Sequence, residues 1–388
     1  MTDRRSFLRA AGGATLGATA GCLSKLPGGS ETGPTSVDVG YIPITDAAPL
    51  LVAHEKGFFA DAGFDSSATL YRGWSTLAEA FLAGEVNAGH FLFPMTYWMR
   101  YARDIPATVL AWDHTNGSAI TVASDVTDWS DLAGEVMAVP FWYSTHNVIL
   151  QMILREKGLE PILTQDPAAV GSDQVGLVDM PPPDMPPALE RGGIKGYIVA
   201  EPFNALGELE VGASIHRFTS DVWHRHGDCV LTVKQPALRN QPDWARGVVT
   251  AVVRAQRWLH DNRAAGARLL STAGSGLLPY SRRTIDRSMT LYDPDEYPDA
   301  IHHPEWDASR VGFYPYPYPS YTRRLFELTR ETKVEGETAF LDEVRTDTVV
   351  EDLFEYDLVK QSIADVGGPS ALGVSPEEAY ERRERIDI

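Results

Sequence analysis

A chain of 388 residues carries 53 Asp and Glu against 34 Lys and Arg, a formal charge of −19, with 44% hydrophobic and 10% aromatic residues. That is enough apolar material for a core in two lobes, and the acidic balance without a basic stripe excludes a nucleic-acid partner. Only seven of the basic residues are Lys, and an acidic, arginine-weighted surface of this halophilic kind keeps a protein soluble in high salt.

The N-terminal run Asp3-Arg4-Arg5-Ser6-Phe7-Leu8-Arg9 resembles a twin-arginine export signal. The Gly/Ala-rich stretch Ala10–Gly21 behind it is too short and too small-residued to span a bilayer. It ends Thr19-Ala20-Gly21-Cys22, which resembles a lipobox with Thr where Leu is usual. Residues 1–22 are therefore expected as a lipoprotein signal, Cys22 as the lipid-carrying start of the mature chain, and residues 23–36 as a flexible tether. The second cysteine is Cys229, so an anchored Cys22 leaves no disulfide.

Val37–Ile42 reads as a buried parallel strand ended by Pro43, with Thr45 and Asp46 placed as N-caps of a helix that Gly57 closes. Strands follow at Thr69–Arg72, Val86–Phe93, Pro106–Trp112 and Ala119–Ser124, with helices ending at Gly84 and over Met95–Arg103. About a hundred residues on, the construction repeats. Val136–Pro140, the polar loop Ser144-Thr145-His146-Asn147 and the ending Glu156-Lys157-Gly158 match Val39–Pro43, Thr45-Asp46 and Glu55-Lys56-Gly57. A second pair, Leu82–Pro94 and Gly192–Pro202, keeps the same order. Twin α/β lobes follow: one over 37–118 plus 236–350, the other over 119–235 with Val230–Lys234 as the return crossing. Gln241–His260 has apolar residues at Trp244, Val248, Val249, Val252, Val253 and Trp258, the spacing of a long amphipathic helix on the first lobe. Tyr314-Pro-Tyr-Pro-Tyr-Pro-Ser-Tyr321 is expected as an extended surface strap and residues 351–388 as a tail.

These segments resemble the solute-binding lipoproteins of ABC importers in the nitrate, sulfonate and bicarbonate group, nearest its nitrate- and bicarbonate-binding branch. The likeness runs from Val37 to about Leu341 and rests on Gly40–Asp46 with Ala48-Pro49-Leu50, Trp74-Ser75-Thr76, Val139-Pro140-Phe141 with Ser144–Asn147, Pro181–Met185, and Glu201-Pro202-Phe203-Asn204. It implies a two-lobed, type II periplasmic-binding-protein-like α/β fold with the ligand cleft between the lobes. It also implies a non-enzymatic protein on the outer face of the cytoplasmic membrane, handing one small anionic solute to a permease and its ATPase.

Converging helix N-termini from two such repeats suit a small anion such as nitrate, bicarbonate or a sulfonate. Trp74 offers an indole N–H and a flat wall, and His146 a ring N–H; both match ligand-contact positions of the family. Thr45, Asp46 and Asn116 are candidates equally explicable as caps and turn formers, and Ser144, Thr145 and Glu201 complete the expected lining. One stretch departs from the family: Asp221–Cys229 puts Gly227 for a Pro and Cys229 where nitrate binders carry Lys and bicarbonate binders an acidic residue with calcium. No cofactor is expected, calcium entering only through that likeness. His224, His226, Asp228 and Cys229 also read as a metal cluster, but their spacing fits no common zinc pattern. No Gly-x-Ser-x-Gly, phosphate loop or His-Glu-x-x-His is present. The rivals are an enzyme like the thiamine-pyrimidine synthase of related fold, and an exported ligand sensor.

Overall fold

The computed structural model describes residues 35–290, 292–306 and 310–388. The expected export signal, Cys22 and nearly all of the tether lie outside the described residues.

The first sheet has the order β2-β1-β3-β12-β4, built from β1 (Ser36–Tyr41), β2 (Asp65–Leu70), β3 (Ala88–Leu92), β4 (Ala107–Trp112) and β12 (Cys229–Lys234). β1 runs parallel to β2 and β3, and β12 antiparallel to β3 and β4. The second sheet has the order β11-β6-β10-β7-β9-β8. Its strands are β6 (Ser118–Val122), β7 (Val136–Val139), β8 (Glu160–Leu163), β9 (Gln174–Asp179), β10 (Gly196–Ala200) and β11 (Ser214–Phe218). β8, β9, β7 and β10 are parallel, while β6 is antiparallel to both β10 and β11.

Strand for strand, β9-β7-β10-β6-β11 repeats β2-β1-β3-β12-β4 with the same directions, and β8 extends one edge. The repeat read from the sequence is thus the repeat of the fold: Pro43 and Pro94 follow β1 and β3, and Pro140 and Pro202 follow β7 and β10. The inner strands β3, β7 and β10 are buried throughout, as strands covered on both faces must be. β4, at one edge of the first sheet, is buried too because residues 353–354 lie along it, Val109 N donating to Leu353 O at 2.8 Å. β2 is the edge strand, half-exposed and polar, so it begins at Asp65 where the sequence signal began only at Thr69.

The chain passes between sheets at 113–117 and again at 219–228. In each case the first strand after the passage, β6 or β12, enters its sheet antiparallel. β12 therefore belongs to the first sheet, not to the second lobe in which residues 119–235 placed it; its apolar run suits either sheet, and only its partners decide. The two passages are themselves bonded, Asn116 N donating to His226 O at 2.9 Å and Asp113 N to Cys229 O at 3.0 Å. A short ribbon of β5 (Thr115–Asn116) and β13 (Val311–Gly312) adds a third pass at the same place.

The helix Pro242–Asp261 lays Trp244, Val248, Val249, Val252 and Val253 against the helices Ala48–Glu55 and Tyr356–Asp365. Two expectations for the C-terminal third change. The Tyr-Pro run is buried rather than a surface strap: Tyr314, Tyr316 and Tyr318 are 3–4% exposed, and Tyr318 and Tyr321 pack edge-on to Trp112. Alternating Tyr and Pro look like surface, yet each ring buries a large apolar area, and the Tyr314 and Tyr318 hydroxyls donate to Ala379 O and Glu378 O at 2.7 Å. Nor are residues 351–388 a tail. His224 N donates to Arg385 O (3.0 Å), Asp387 N to Val222 O (2.9 Å), and the Trp223 indole to Glu384 (2.7 Å), stitching the C-terminal strip to the second passage.

Candidate functional site

Where the strand ends meet the two passages, a group of polar side chains is shut away from solvent. Thr45 and Asp46 follow β1 and are wholly buried. Neither caps a helix: the N-cap of Ala48–Glu55 is Ala47, with no side-chain cap. Thr45 N instead donates to Glu201 O at 2.9 Å, joining the loop after β1 to the loop after β10. Trp74 opens the helix Trp74–Ala83, 3% exposed, with its ring centroid 6.2 Å from that of His90 in β3. His90 in turn lies 6.4 Å from His114 of the first passage.

Three histidines each face a carboxylate. His114 Nε2 stands 3.4 Å from Asp46 Oδ2, His90 Nε2 3.7 Å from Asp113 Oδ2, and His146 Nε2 3.1 Å from Asp228 Oδ2. Burial pushes the Asp46 carboxyl well up, with Asp228, Glu201 and Asp113 adding to it, and burial alone pushes Asp113 up. Burial raises Asp228 to about 7 against hydrogen bonds from Ser118 and Thr145. Burial also lowers His90 and His146 to about 3 and holds His114 well below its usual value. Burial thus favours neutral imidazoles, and the His114–Asp46 and His90–Asp113 contacts are dipolar rather than hydrogen bonds or ion pairs, only His146 standing within hydrogen-bonding distance of its carboxylate. Cys229 is pushed up by burial, then by Asp228, Asp46 and Asp113, the reverse of what an activated thiolate needs.

Gly117 makes room for the group. A Cβ there would fall 2.6 Å from Asp46 Oδ1 and 2.8 Å from His114 Nδ1, and its φ of 87° is one that side chains rarely adopt. Gly227, where the resemblance led to the expectation of a Pro, lies against Trp112, whose ring is 2.4 Å from where a Cβ would stand.

Of the expected lining, Thr45, Asp46, Trp74, Asn116, His146 and Cys229 come together at this junction, all buried. Ser144 is a helix cap: its Oγ accepts from Asn147 N (3.1 Å) and donates to Phe141 O (2.7 Å). Thr145 lies 3.5 Å from the Tyr321 hydroxyl. Glu201 is held by Arg310 at 2.8 Å, and Arg310 also contacts Glu208. The expected His224–Cys229 metal grouping does not form as such. His224 packs on Trp306 and His226 Nε2 lies 2.8 Å from Thr219 Oγ1. Sequence reasoning missed His90, Asp113 and His114. The signal for the latter two was there, a polar Asp-His-Thr-Asn between two apolar strands, whereas His90 is a lone polar residue inside one.

The chain belongs to the NMT1-like family, whose profile matches residues 30–272. It is 29% identical over 247 residues to the nitrate/nitrite binding protein NrtA of Nostoc sp. PCC 7120, covering 58% of this chain and 54% of that one. It is 26% identical over 247 residues to the nitrate import ATP-binding protein NrtC of Synechocystis sp. PCC 6803, covering 61% and 37%. The chain therefore spans about half the length of the first relative and little over a third of the second. The crystal structure of the periplasmic nitrate-binding protein NrtA from Synechocystis PCC 6803 superposes with a TM-score of 0.74 at 21% identity, over 91% of this chain and 94% of that one. The fold is accordingly the two-lobed α/β fold of periplasmic solute-binding proteins.

Proposed function

We propose that this NMT1-like chain is the solute-binding component of an ABC importer, closing its two lobes on one small oxyanion of the nitrate, bicarbonate or sulfonate class. The observation that carries the reading is the set of buried side-chain atoms without partners at the lobe junction: Thr45 Oγ1, Asp46 Oδ1 and Oδ2, Trp74 Nε1, both nitrogens of His90, and His146 Nδ1. Each such group costs roughly 1–3 kcal/mol when left unpaired, so a bound solute offsets a penalty that folding alone leaves standing. The names of the relatives, nitrate binding and nitrate import, support the solute class and an ATPase with its permease as partners.

The pocket recognises its anion as a donor set rather than by charge. Arg310 is committed to Glu201 and Glu208, so the indole N–H, imidazole N–H groups and protonated carboxyls are the donors. With the export signal and Cys22, the same reading places the chain on the outer face of the cytoplasmic membrane, held by lipid. Thermal unfolding in high salt with nitrate, nitrite, bicarbonate with and without calcium, cyanate and taurine tests it. A true solute at about 100 times its Kd adds about 2.7 kcal/mol of stability. No shift with any of them at millimolar concentration would refute the oxyanion reading.

A further inference from the structure

The same junction contains a second, separable arrangement. Asp46, His114, Asp228 and Cys229 each present one ligand atom, all within 4.8 Å of one another, and all four residues are completely buried. They come from three places far apart in sequence: the loop after β1, the first passage, and the second passage with the start of β12. We infer that these four side chains form a binding site for a divalent ion of the zinc class, seated where the two passages meet the first lobe.

His114 Nε2 carries the ring's lone pair, since it accepts the Cys229 N–H at 3.0 Å, and it stands 3.4 Å from Asp46 Oδ2; an ion bound through Nε2 takes the place of that backbone N–H. Asp228 Oδ1, which the oxyanion reading does not use, has no hydrogen-bond partner, a sign that something else satisfies it, and neither do the two Asp46 oxygens. Ligand atoms at about 2.0–2.3 Å from a tetrahedral ion stand roughly 3.3–3.8 Å apart. A group already within 4.8 Å closes on an ion by side-chain shifts of about 1 Å. One thiolate, one imidazole and two carboxylates suit zinc or cobalt; calcium takes six to eight oxygens and has no use for the thiol. On binding, each ligand that carries a proton releases it to solvent. His90, which makes an alternative trio with His114 and Cys229, stands beside the site as a further nitrogen donor.

The inference does not depend on transport or on the oxyanion, and its test uses the metal alone. The full-length chain, stripped with chelator and kept reduced, is titrated with Co2+ and then with Zn2+. The expected result is one equivalent of Co2+ with the visible bands of four-coordinate cobalt and a thiolate-to-cobalt charge-transfer band, both erased by one equivalent of Zn2+. The band persists in Cys22→Ala and is lost in Cys229→Ser. Asp46→Asn, which keeps the thiol, weakens Zn2+ by at least about tenfold, with far-ultraviolet circular dichroism confirming that it folds. A band that survives in Cys229→Ser, or that vanishes in Cys22→Ala, or stoichiometric binding with no thiolate band, overturns the site. So does the absence of stoichiometric Co2+ binding to the folded chain. None of these outcomes decides the oxyanion reading, which the thermal-shift panel decides on protein free of zinc and cobalt.

Discussion

Replacing Arg310 with Met is the sharpest test of how the lobe junction is held. The Arg310 and Glu201 side chains are each 1% exposed and 2.8 Å apart, while Glu208, the other carboxylate on the guanidinium, is 15% exposed and can turn to water. Without the cation, Glu201 keeps, among the described residues, only the Ala205 N–H at 3.1 Å. Removing one partner of a buried pair costs about 3–5 kcal/mol. Burial already pushes the Glu201 carboxyl up, and Arg310 is the first of the groups pulling it back down, so in the variant it rises further. A carboxyl raised in the folded state binds its proton more tightly folded than unfolded. Stability then falls as pH rises from the unfolded value of 4.5 towards the folded one. The deficit of Arg310→Met should therefore shrink between pH 7 and pH 5 by up to about 1.4 kcal/mol per unit. Urea unfolding at both pH values measures this, with Arg310→Met/Glu201→Gln as the rescue that removes the stranded charge. A cost below about 1 kcal/mol at pH 7, the same cost at both pH values, or no rescue would refute the buried-pair argument.

Trp74→Phe keeps the wall of the pocket and removes its indole N–H, so affinity for the identified solute should fall roughly ten- to a hundredfold by calorimetry; unchanged affinity would put Trp74 outside the pocket. Gly117→Ala combines a positive φ with a Cβ 2.6 Å from Asp46 Oδ1, and should lower stability by about 1–3 kcal/mol in urea. If it unfolds like the parent chain, the close approach at the first passage is not real. For location, Arg4→Lys with Arg5→Lys should hold the precursor in the cytoplasm, and Cys22→Ala should free the mature chain from membranes or block processing, as fractionation and blotting would reveal. Normal membrane retention of both variants would remove the lipoprotein reading.

The fold was legible wherever local chemistry repeats. Pro43 and Pro140 stop equivalent strands, the polar loops behind them open equivalent helices, and the heptad-like spacing of Trp244 to Val253 marks the covering helix. What escaped is information that only pairing supplies. Nothing local in Cys-Val-Leu-Thr-Val-Lys says which sheet β12 joins. The site was half legible for the same reason. Trp74 and His146 stand out because polar neighbours flank them, and Asp46 because it follows a strand end. His90 is hidden in an apolar strand, and the Asp113-His114 pair reads as an ordinary turn until the second passage is laid beside it. Thr45 and Asp46 looked like caps since residues of that type usually are; Ala47 holds the cap position of Ala48–Glu55, which leaves them free for the role proposed for them at the junction.

The C-terminal strip bonded to the second passage matters to anyone turning this chain into an optical sensor. Arg382 lies over Trp112, Tyr318 and Tyr321 and donates to Arg225 O at 3.0 Å, while Ile386 bridges to Trp223. A fluorescent domain fused after Ile388 would load the strip bonded to the second passage, where the two sheets are joined. The exposed run Gln165–Ala169, on the far side of β8 and outside both passages, is the place to insert it. A partner fluorophore at the exposed Lys56, behind β1, would then report the distance between the two sheets while leaving the strip as it is.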